Sequence, residues 1–188
     1  MEFYPASTPV SEEKRTSRLH LRPLRATDVE LDYEAVMSSA ESLRRWSQSD
    51  WPTDDFTVAQ NLTDLQRHER EHTERKAFTF TVLNPLGTQC LGCAYIMPLR
   101  PEEIPLCEDA VYAAAVGFWI RTSEFANDLD QHLFATIREW FHAEWAFDCI
   151  VFTISQQETR QAALFAAAGL ERRLDFTLSD GRQCWAFR

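Results

Sequence analysis

Residues 68–72, His-Glu-Arg-Glu-His, have the residue types and the spacing of a zinc hydrolase site. On a helix, the pattern H-E-x-x-H places two imidazoles on one face for zinc and a carboxylate beside a metal-bound water. The flanking residues are polar, and the remaining histidines, His20, His132 and His142, form no third-ligand pattern. A charged helix with Glu and Arg four residues apart produces such a match easily. We therefore predict a solvated helix face and no metal site.

Cys90 and Cys93 have the spacing C-x-x-C, which in other contexts binds a metal or cycles between thiol and disulfide. In a strand, residues three apart point to opposite faces, so we predict two small core residues here instead. The chain has five cysteines and no signal-peptide pattern, and we therefore expect free, reduced thiols.

The elements that would position a site are clearest over residues 111–170. Val111–Ile120 is a nearly unbroken apolar run, which predicts a strand covered on both faces. A polar loop, Thr122–Asn127, precedes a helix from Leu129 whose apolar residues recur at spacings of three and four. We expect Asp128 to cap this helix as part of a capping box.

The other elements are predicted from periodicity and from turn residues. They are a strand over Cys149–Ile154, a helix from about Glu158 that Gly169 ends, a helix that Asp28 caps and that runs to about Ser38, a short helix around Ser42–Trp46, a charged helix from about Thr57 to Arg75, a half-buried strand around Phe78–Val82, a strand over Gln89–Met97, and a hairpin of Leu174–Leu178 with Gln183–Phe187.

Three segments carry a family resemblance: Leu19–Leu24 (LHLRPL), Val116–Ile120 (VGFWI) and Leu164–Leu170 (LFAAAGL). In their order along the chain and in their amino-acid sequences, they resemble the GNAT superfamily of acyl-CoA N-acyltransferases, nearest the branch of the ribosomal-protein alanine N-acetyltransferases. The resemblance implies an α/β fold of the α+β type, with helices around a mixed, mostly antiparallel sheet of about seven strands. Its fourth and fifth strands are parallel and splay apart around a cleft. We expect residues 1–17 to form a flexible tail and residues 18–188 a single domain.

The resemblance also implies acetyl-CoA as the acyl donor. Its pantetheine would lie along the fourth strand, and its pyrophosphate at the N-terminus of the following helix. The cofactor-binding residues predicted on this basis are Phe118, Trp119, Ile120, Arg121, Ala126, Asn127, Asp128, Leu129, Asp130 and Phe165.

The pyrophosphate loop departs from the family pattern Gln/Arg-x-x-Gly-x-Gly/Ala. Phe125, Asp128 and Asp130 stand at its three defined positions. We predict that the Asp128 carboxylate accepts hydrogen bonds from helix N–H groups and so occupies the anion site. Because two carboxylates repel a diphosphate, we expect weak acetyl-CoA binding at this loop.

Positions that carry catalytic groups in many family members are changed as well. The resemblance places the general base at Ala115, the helix-opening Asn at Glu158 and the proton-donating Tyr at Phe165. We therefore name no catalytic residue.

Other side chains near the predicted cleft are assigned structural roles. We expect Tyr95 to be a core aromatic residue. We expect Glu108 and Asp109, with Tyr112 nearby, to lie in a solvent-exposed segment that leads into the strand. In the family, the segment that contains Trp46, Trp51 and Phe56 folds over the acceptor site, so these residues either pack in the core or wall a cleft.

Composition limits the partners. A formal charge of −10 over 188 residues makes nucleic acid an unexpected partner, because phosphates require a basic footprint. It favours a cationic or neutral substrate, such as the amine of a small molecule or peptide. No apolar run reaches the length of a membrane span, so we expect no membrane partner and a cytoplasmic location. Homodimer formation is left open.

Three functions remain as hypotheses. The first is an N-acyltransferase that moves an acetyl group from acetyl-CoA to an amine, with the donor held mainly by the strand edge at Trp119–Arg121. The second is a GNAT-fold binding protein that has lost the reaction. The third, a zinc hydrolase built on residues 68–72, ranks below both.

Overall fold

The structure is a computed structural model that describes residues 2–188 as one sheet with helices on both faces. Its strands are β1 (Lys14–Arg15), β2 (His20–Pro23), β3 (Phe78–Leu83), β4 (Cys90–Met97), β5 (Ala113–Ile120), β6 (Cys149–Ser155), β7 (Arg172–Thr177) and β8 (Gln183–Phe187). Its α-helices are α1 (Val29–Ser38), α2 (Ala40–Ser47), α3 (Val58–Thr73), α4 (Leu129–Glu144) and α5 (Thr159–Ala167). Short 3-10 turns cover Ala26–Asp28, Ile104–Cys107 and Thr122–Asn127.

The eight strands lie in the order β1-β2-β3-β4-β5-β6-β8-β7. Within the described residues, β5 and β6 form the parallel pair and all other neighbours are antiparallel. The predicted mixed sheet is thus confirmed, with one strand more than expected because the two-residue β1 extends its edge. The predicted fourth and fifth strands are β5 and β6.

Two layers of apolar side chains cover the sheet, one on each face. Residues of α4 and α5, such as Phe134 and Phe165, pack with Phe118 of β5 on one face. Residues of α1, α2 and α3 pack with Trp119 of β5 on the other. Neighbouring strand residues point to opposite faces, so Phe118 and Trp119 belong to different layers. Gly169, at a φ of +82°, ends α5 as predicted.

Two local predictions are wrong. All six residues of β3 are buried rather than half of them, because α3 covers the face that carries Thr79 and Thr81. Asp28 does not cap α1. Its carboxylate instead accepts two hydrogen bonds from the guanidinium of Arg22, both at 2.7 Å.

Cys90 and Cys93 lie on the same face of the sheet, which corrects the prediction of opposite faces. The register shifts where Val82 pairs with Gly92 but Leu83 pairs with Cys90, so one extra residue of β4 is accommodated there. This bulge turns both thiols toward α1 and α3. A hydrogen bond with Cys90, together with burial, raises the pKa of the Cys93 thiol well above its usual range.

Cys107 and Cys149 form a disulfide, which corrects the prediction of five free thiols. Their Cα atoms are 5.9 Å apart, a separation that suits such a bond. The bond fastens the 3-10 turn at Ile104–Cys107 to the first residue of β6. Sequence spacing alone did not pair these residues, which lie 42 positions apart.

The N-terminal segment, predicted as a tail, lies against the domain over part of its length. Tyr4 is 2% exposed and packs against Phe78 and Trp145. Its hydroxyl accepts a hydrogen bond from the backbone N–H of Ala146 at 3.0 Å. Among residues 2–188, none of the helices combines the length and the apolar character that crossing a bilayer requires.

Candidate active site

The parallel strands β5 and β6 separate beyond their first four residues. Their pairing runs from Ala113 with Cys149 to Val116 with Phe152 and then stops. Beyond this point β5 continues to pair with β4, and β6 with β8. The predicted splayed cleft is therefore present, and we call it the β5–β6 gap, bounded by residues 117–120 and 153–155.

The backbone that faces this gap follows from the register of β5. The N–H of Arg121 donates to the carbonyl of Leu91 at 2.7 Å, on the β4 side. Because backbone groups alternate between the two edges of a strand, Phe118 and Ile120 direct theirs toward the gap. Of the four strand residues predicted to bind the cofactor, only these two can offer it backbone hydrogen bonds.

Arg121 has a structural role. Its guanidinium pairs with Glu34 of α1 and donates through Nε to the carbonyl of Cys90 at 2.5 Å. Glu34 raises the pKa of Arg121, which stays charged. The side chain fastens α1 to the end of β5 and does not face the gap.

The mouth of the gap is formed by the 3-10 turn Thr122–Asn127 and the start of α4. Asp128 precedes the helix with a φ of +50°, in the left-handed region. A capping side chain requires an extended backbone, so the Asp128 carboxylate accepts no hydrogen bond from the helix. The prediction that it caps α4 and fills the anion site is wrong. The first N–H groups of α4 have no intrahelical acceptor, and the Asp128 side chain does not supply one.

Arg160 of α5 compensates the acidic charge at this mouth. Its Nε donates to Asp130 at 2.6 Å, and a terminal nitrogen lies 3.5 Å from Asp128. The guanidinium also covers the ring of Phe125, with 4.9 Å between its carbon and the ring centroid. Of the predicted residues here, Ala126, Asn127 and Asp128 are exposed, whereas Leu129 and Asp130 are buried.

A cavity of about 410 Å³ opens on the α1–α3 face of the sheet, beside the gap. Its walls are aromatic and carry charges of both signs. They include Trp46, Trp51, Tyr95, Trp119, Asp32, Asp64, His68, Arg67 and Arg100. Trp46 and Trp119 also line the β5–β6 gap, so the two spaces share a wall. We call this space the Asp32 cavity. Phe56 packs beside Tyr33 and Trp51 in the core instead of lining it.

Asp32 is the most unusual group in this cavity. Its carboxylate is 4% exposed and accepts from Asn61 at 3.0 Å and from the Cys93 thiol at 3.6 Å. No basic side chain of residues 2–188 lies within ion-pair distance of it. The other buried carboxylates each have an arginine: Asp28 with Arg22, Glu103 with Arg100, and Asp130 with Arg160.

Burial controls the ionisation of the groups around the cavity. It raises the pKa of Asp32 to about 6, so the carboxylate is mostly ionised at neutral pH. It also raises the pKa of Tyr95 well above its usual range, so the phenol keeps its proton. The Tyr95 hydroxyl accepts from Trp119 Nε1 at 3.1 Å. Burial lowers the pKa of His68 to about 4, which leaves that ring neutral.

The model of the acetyltransferase (GNAT) domain matches residues 18–171. The chain belongs to the GNAT acetyltransferase family.

Solved structures show the same fold at low identity. A ribosomal-protein alanine acetyltransferase from Vibrio fischeri is 14% identical, with a TM-score of 0.71 and coverage of 94% of this chain and 95% of that one. A ribosomal-protein serine acetyltransferase from Vibrio cholerae, described as putative, is 16% identical, with a TM-score of 0.71 and coverage of 96% and 97%. Mycobacterium smegmatis RimJ in complex with CoA-disulfide is 16% identical, with a TM-score of 0.69 and coverage of 90% and 80%. None of the curated proteins compared with the sequence matches it.

In this GNAT protein, other residues stand at the positions of the family's catalytic groups, and they cannot perform the same acid–base chemistry. Ala115 is buried in β5, and Phe165 is packed among aromatic rings of the core without lining the gap. Glu158 does line the gap at the start of α5, and burial raises its pKa. Glu108 and Asp109 surround the Cys107–Cys149 disulfide, at the end of β5 away from the gap.

The zinc motif residues of this GNAT protein face separate partners. His68 Nδ1 lies 3.1 Å from the Thr79 hydroxyl, and the His72 ring packs edge-on against Phe78 and Phe80. Glu69 accepts from the backbone of Ala26 at 3.2 Å. The histidine face of α3 thus packs on the sheet. The prediction of a solvated face is wrong. Residues 2–188 contain no group of three or more His, Cys, Asp or Glu side chains arranged to hold a metal ion.

Sequence reasoning missed Asp32, Asn61 and Arg160. One local signal was present for the first. Asp32 stands four residues before Val36 on the buried face of α1, where an apolar residue is expected. The partners of Asn61 and Arg160 are distant in sequence, and no local pattern indicated them.

Proposed function

We propose that this protein transfers an acetyl group from acetyl-CoA to the amine of a small molecule or peptide. The observation that carries this proposal is Asp32, a buried carboxylate without a basic partner, in a cavity that shares a wall with the β5–β6 gap. A buried charge is costly unless it is paired. A cationic amine in the cavity would supply the missing partner.

The shape of the cavity suits such an acceptor. The rings of Trp46, Trp51 and Tyr95 line the same cavity as the Asp32 carboxylate. An ammonium group is attracted both to a carboxylate and to aromatic faces. The walls therefore favour a primary amine on a partly apolar body.

The acyl donor has a matching strand edge and helix end. Backbone groups of Phe118 and Ile120 face the gap, and the N-terminus of α4 offers N–H groups to phosphate. Bound acetyl-CoA would supply a thioester carbonyl that an amine can attack.

The chain's own groups can handle the protons of this reaction. Ionised Asp32 can pair with the ammonium and accept a proton as the amine becomes nucleophilic. Tyr95 retains its O–H beside Trp119 and can donate to a departing thiolate. This arrangement replaces the family groups that are absent at Ala115 and Phe165.

The experiment is an acetyl-transfer assay with a panel of primary amines and of peptides with free N-termini, read by product mass. In Asp32→Asn we expect kcat/KM to fall about a hundredfold or more. The wild-type rate should decrease as pH falls through about 6, where Asp32 becomes protonated, and the variant should lose this limb. Asp55→Asn, on the exposed surface, is the matched control.

Two results would contradict the proposal. Full activity in Asp32→Asn would remove Asp32 from the reaction. Binding of amines without any acetylated product would instead support a GNAT-fold binding protein that lacks the reaction.

A further inference from the structure

The carboxamide of Gln161, on α5, lies inside the β5–β6 gap. Its Nε2 donates to the backbone carbonyl of Phe118 at 2.8 Å. Its Oε1 is buried and has no hydrogen-bond partner among residues 2–188. The orientation is fixed by the strand, because only the NH₂ group can donate to a carbonyl. The residue is 7% exposed, so bulk solvent has little access to the oxygen.

Gln161 and its neighbours leave almost no room in the gap. The free volume there is about 20 Å³. This is room for about one water molecule, which needs roughly 10–15 Å³, whereas pockets for larger ligands hold roughly 300–1,000 Å³. A pantetheine arm cannot enter while Gln161 is bound to Phe118.

The contact that Gln161 makes is the one that the arm would need. Pantetheine contains secondary amides, whose N–H groups donate to strand carbonyls as a neighbouring strand does. Phe118 offers its carbonyl on the gap side of β5, and Gln161 already occupies it. The unpaired Oε1 disfavours this occupied state, since a buried oxygen without a donor is costly. Moving out to solvent would satisfy it.

We propose that Gln161 closes the gap by occupying the Phe118 carbonyl, and that the acyl donor binds by displacing it. Gln161 thereby sets the affinity for the pantetheine arm. This inference rests on the proposed function, because it takes an acyl-CoA as the ligand.

The test is calorimetric titration of the full chain with CoA and with 3′-phosphoadenosine 5′-diphosphate, which lacks the pantetheine arm. Gln161→Ala removes the competing carboxamide and should tighten CoA binding about fivefold or more. Affinity for the nucleotide alone should not change. Gln161→Ser is a second opening variant, used if the alanine variant does not fold. Gln157→Ala, an exposed glutamine four positions earlier on the chain, is the matched control.

Each outcome decides the matter. Tighter binding of CoA, but not of the nucleotide, in the opening variants supports the inference. Unchanged or weaker CoA binding overturns it, as does the absence of CoA binding by every variant. The proposed function fails in a different way, if the wild type binds CoA but yields no acetylated amine.

Discussion

Arg160 donates from Nε to one carboxylate oxygen of Asp130 at 2.6 Å and from a terminal nitrogen to the other at 3.0 Å. Asp130 lies in the first turn of α4 and Arg160 in the first turn of α5, so the pair joins the starts of two helices beside the gap. The carboxylate is almost fully buried, whereas the guanidinium is half exposed. The pair therefore matters chiefly because it neutralises a charge that cannot reach water.

Arg160→Ala should destabilise the protein by about 2–3 kcal/mol, because it leaves Asp130 buried and unpaired. The figure is below that for a fully buried pair because Arg160 is half exposed. Adding Asp130→Asn to this variant should restore much of the loss. Denaturant unfolding measures both, and Arg45→Ala, in an exposed ion pair with Glu41, should change stability by less than about 1 kcal/mol. Equal stability of the single and double variants would contradict this explanation.

Asp128→Gly should stabilise the protein and strengthen nucleotide binding. Glycine adopts a φ of +50° without the strain of a side chain, a gain of about 1 kcal/mol. Removing the carboxylate also removes repulsion at the mouth of the gap, so 3′-phosphoadenosine 5′-diphosphate should bind about fivefold more tightly. Asp128→Asn separates the two effects, since it removes the charge but keeps the side chain. If only the glycine variant binds more tightly, the backbone and not the charge is responsible.

Asp32→Asn should gain stability above about pH 6 while it loses activity. Burial raises the pKa of Asp32 from its ordinary 3.8 to about 6. The folded state therefore binds the proton more tightly than the unfolded state, and wild-type stability falls as pH rises through this window. The variant carries no such penalty and should be more stable by up to about 3 kcal/mol at neutral pH. Thermal unfolding between pH 4 and pH 8 checks this, and parallel pH curves for the two proteins would refute it.

Thiol titration should find three reactive cysteines in the denatured, unreduced chain and five after reduction. Cys90, Cys93 and Cys184 are free, whereas Cys107 and Cys149 are joined. Reduction should lower stability by about 2–4 kcal/mol, as for other bonds that close loops of this length. The double variant Cys107→Ser with Cys149→Ser should match the reduced protein. Five reactive thiols before reduction would show that the bond does not form.

Local patterns predicted most of the fold. The apolar run of β5, the helical spacing of Leu133, Ile137 and Trp140 in α4, and Gly169 after α5 are each decided by residues close in sequence. Such signals depend on periodicity and on backbone conformation, which a single segment contains in full.

The site was predicted less completely, because its key contacts join distant segments. The environment of Asp32 depends on Asn61 and on Cys93, which lie 29 and 61 positions away. Arg160 reaches Asp130 across 30 positions. The residue type of Asp128 favoured a helix cap, but its left-handed backbone conformation prevents the side chain from capping α4. The family resemblance indicated where the gap lies, but not that Gln161 closes it.

The packing of Tyr4 has a consequence for synthesis on the ribosome. Its hydroxyl bonds to Ala146, 142 positions later, and its ring packs against Trp145. At an elongation rate of about 5–20 residues per second, Tyr4 waits roughly 7–28 seconds for these partners to be synthesised. The aromatic surface beneath it stays exposed until α4 has left the exit tunnel. A chaperone that recognises exposed aromatic side chains would therefore meet the nascent chain during this interval.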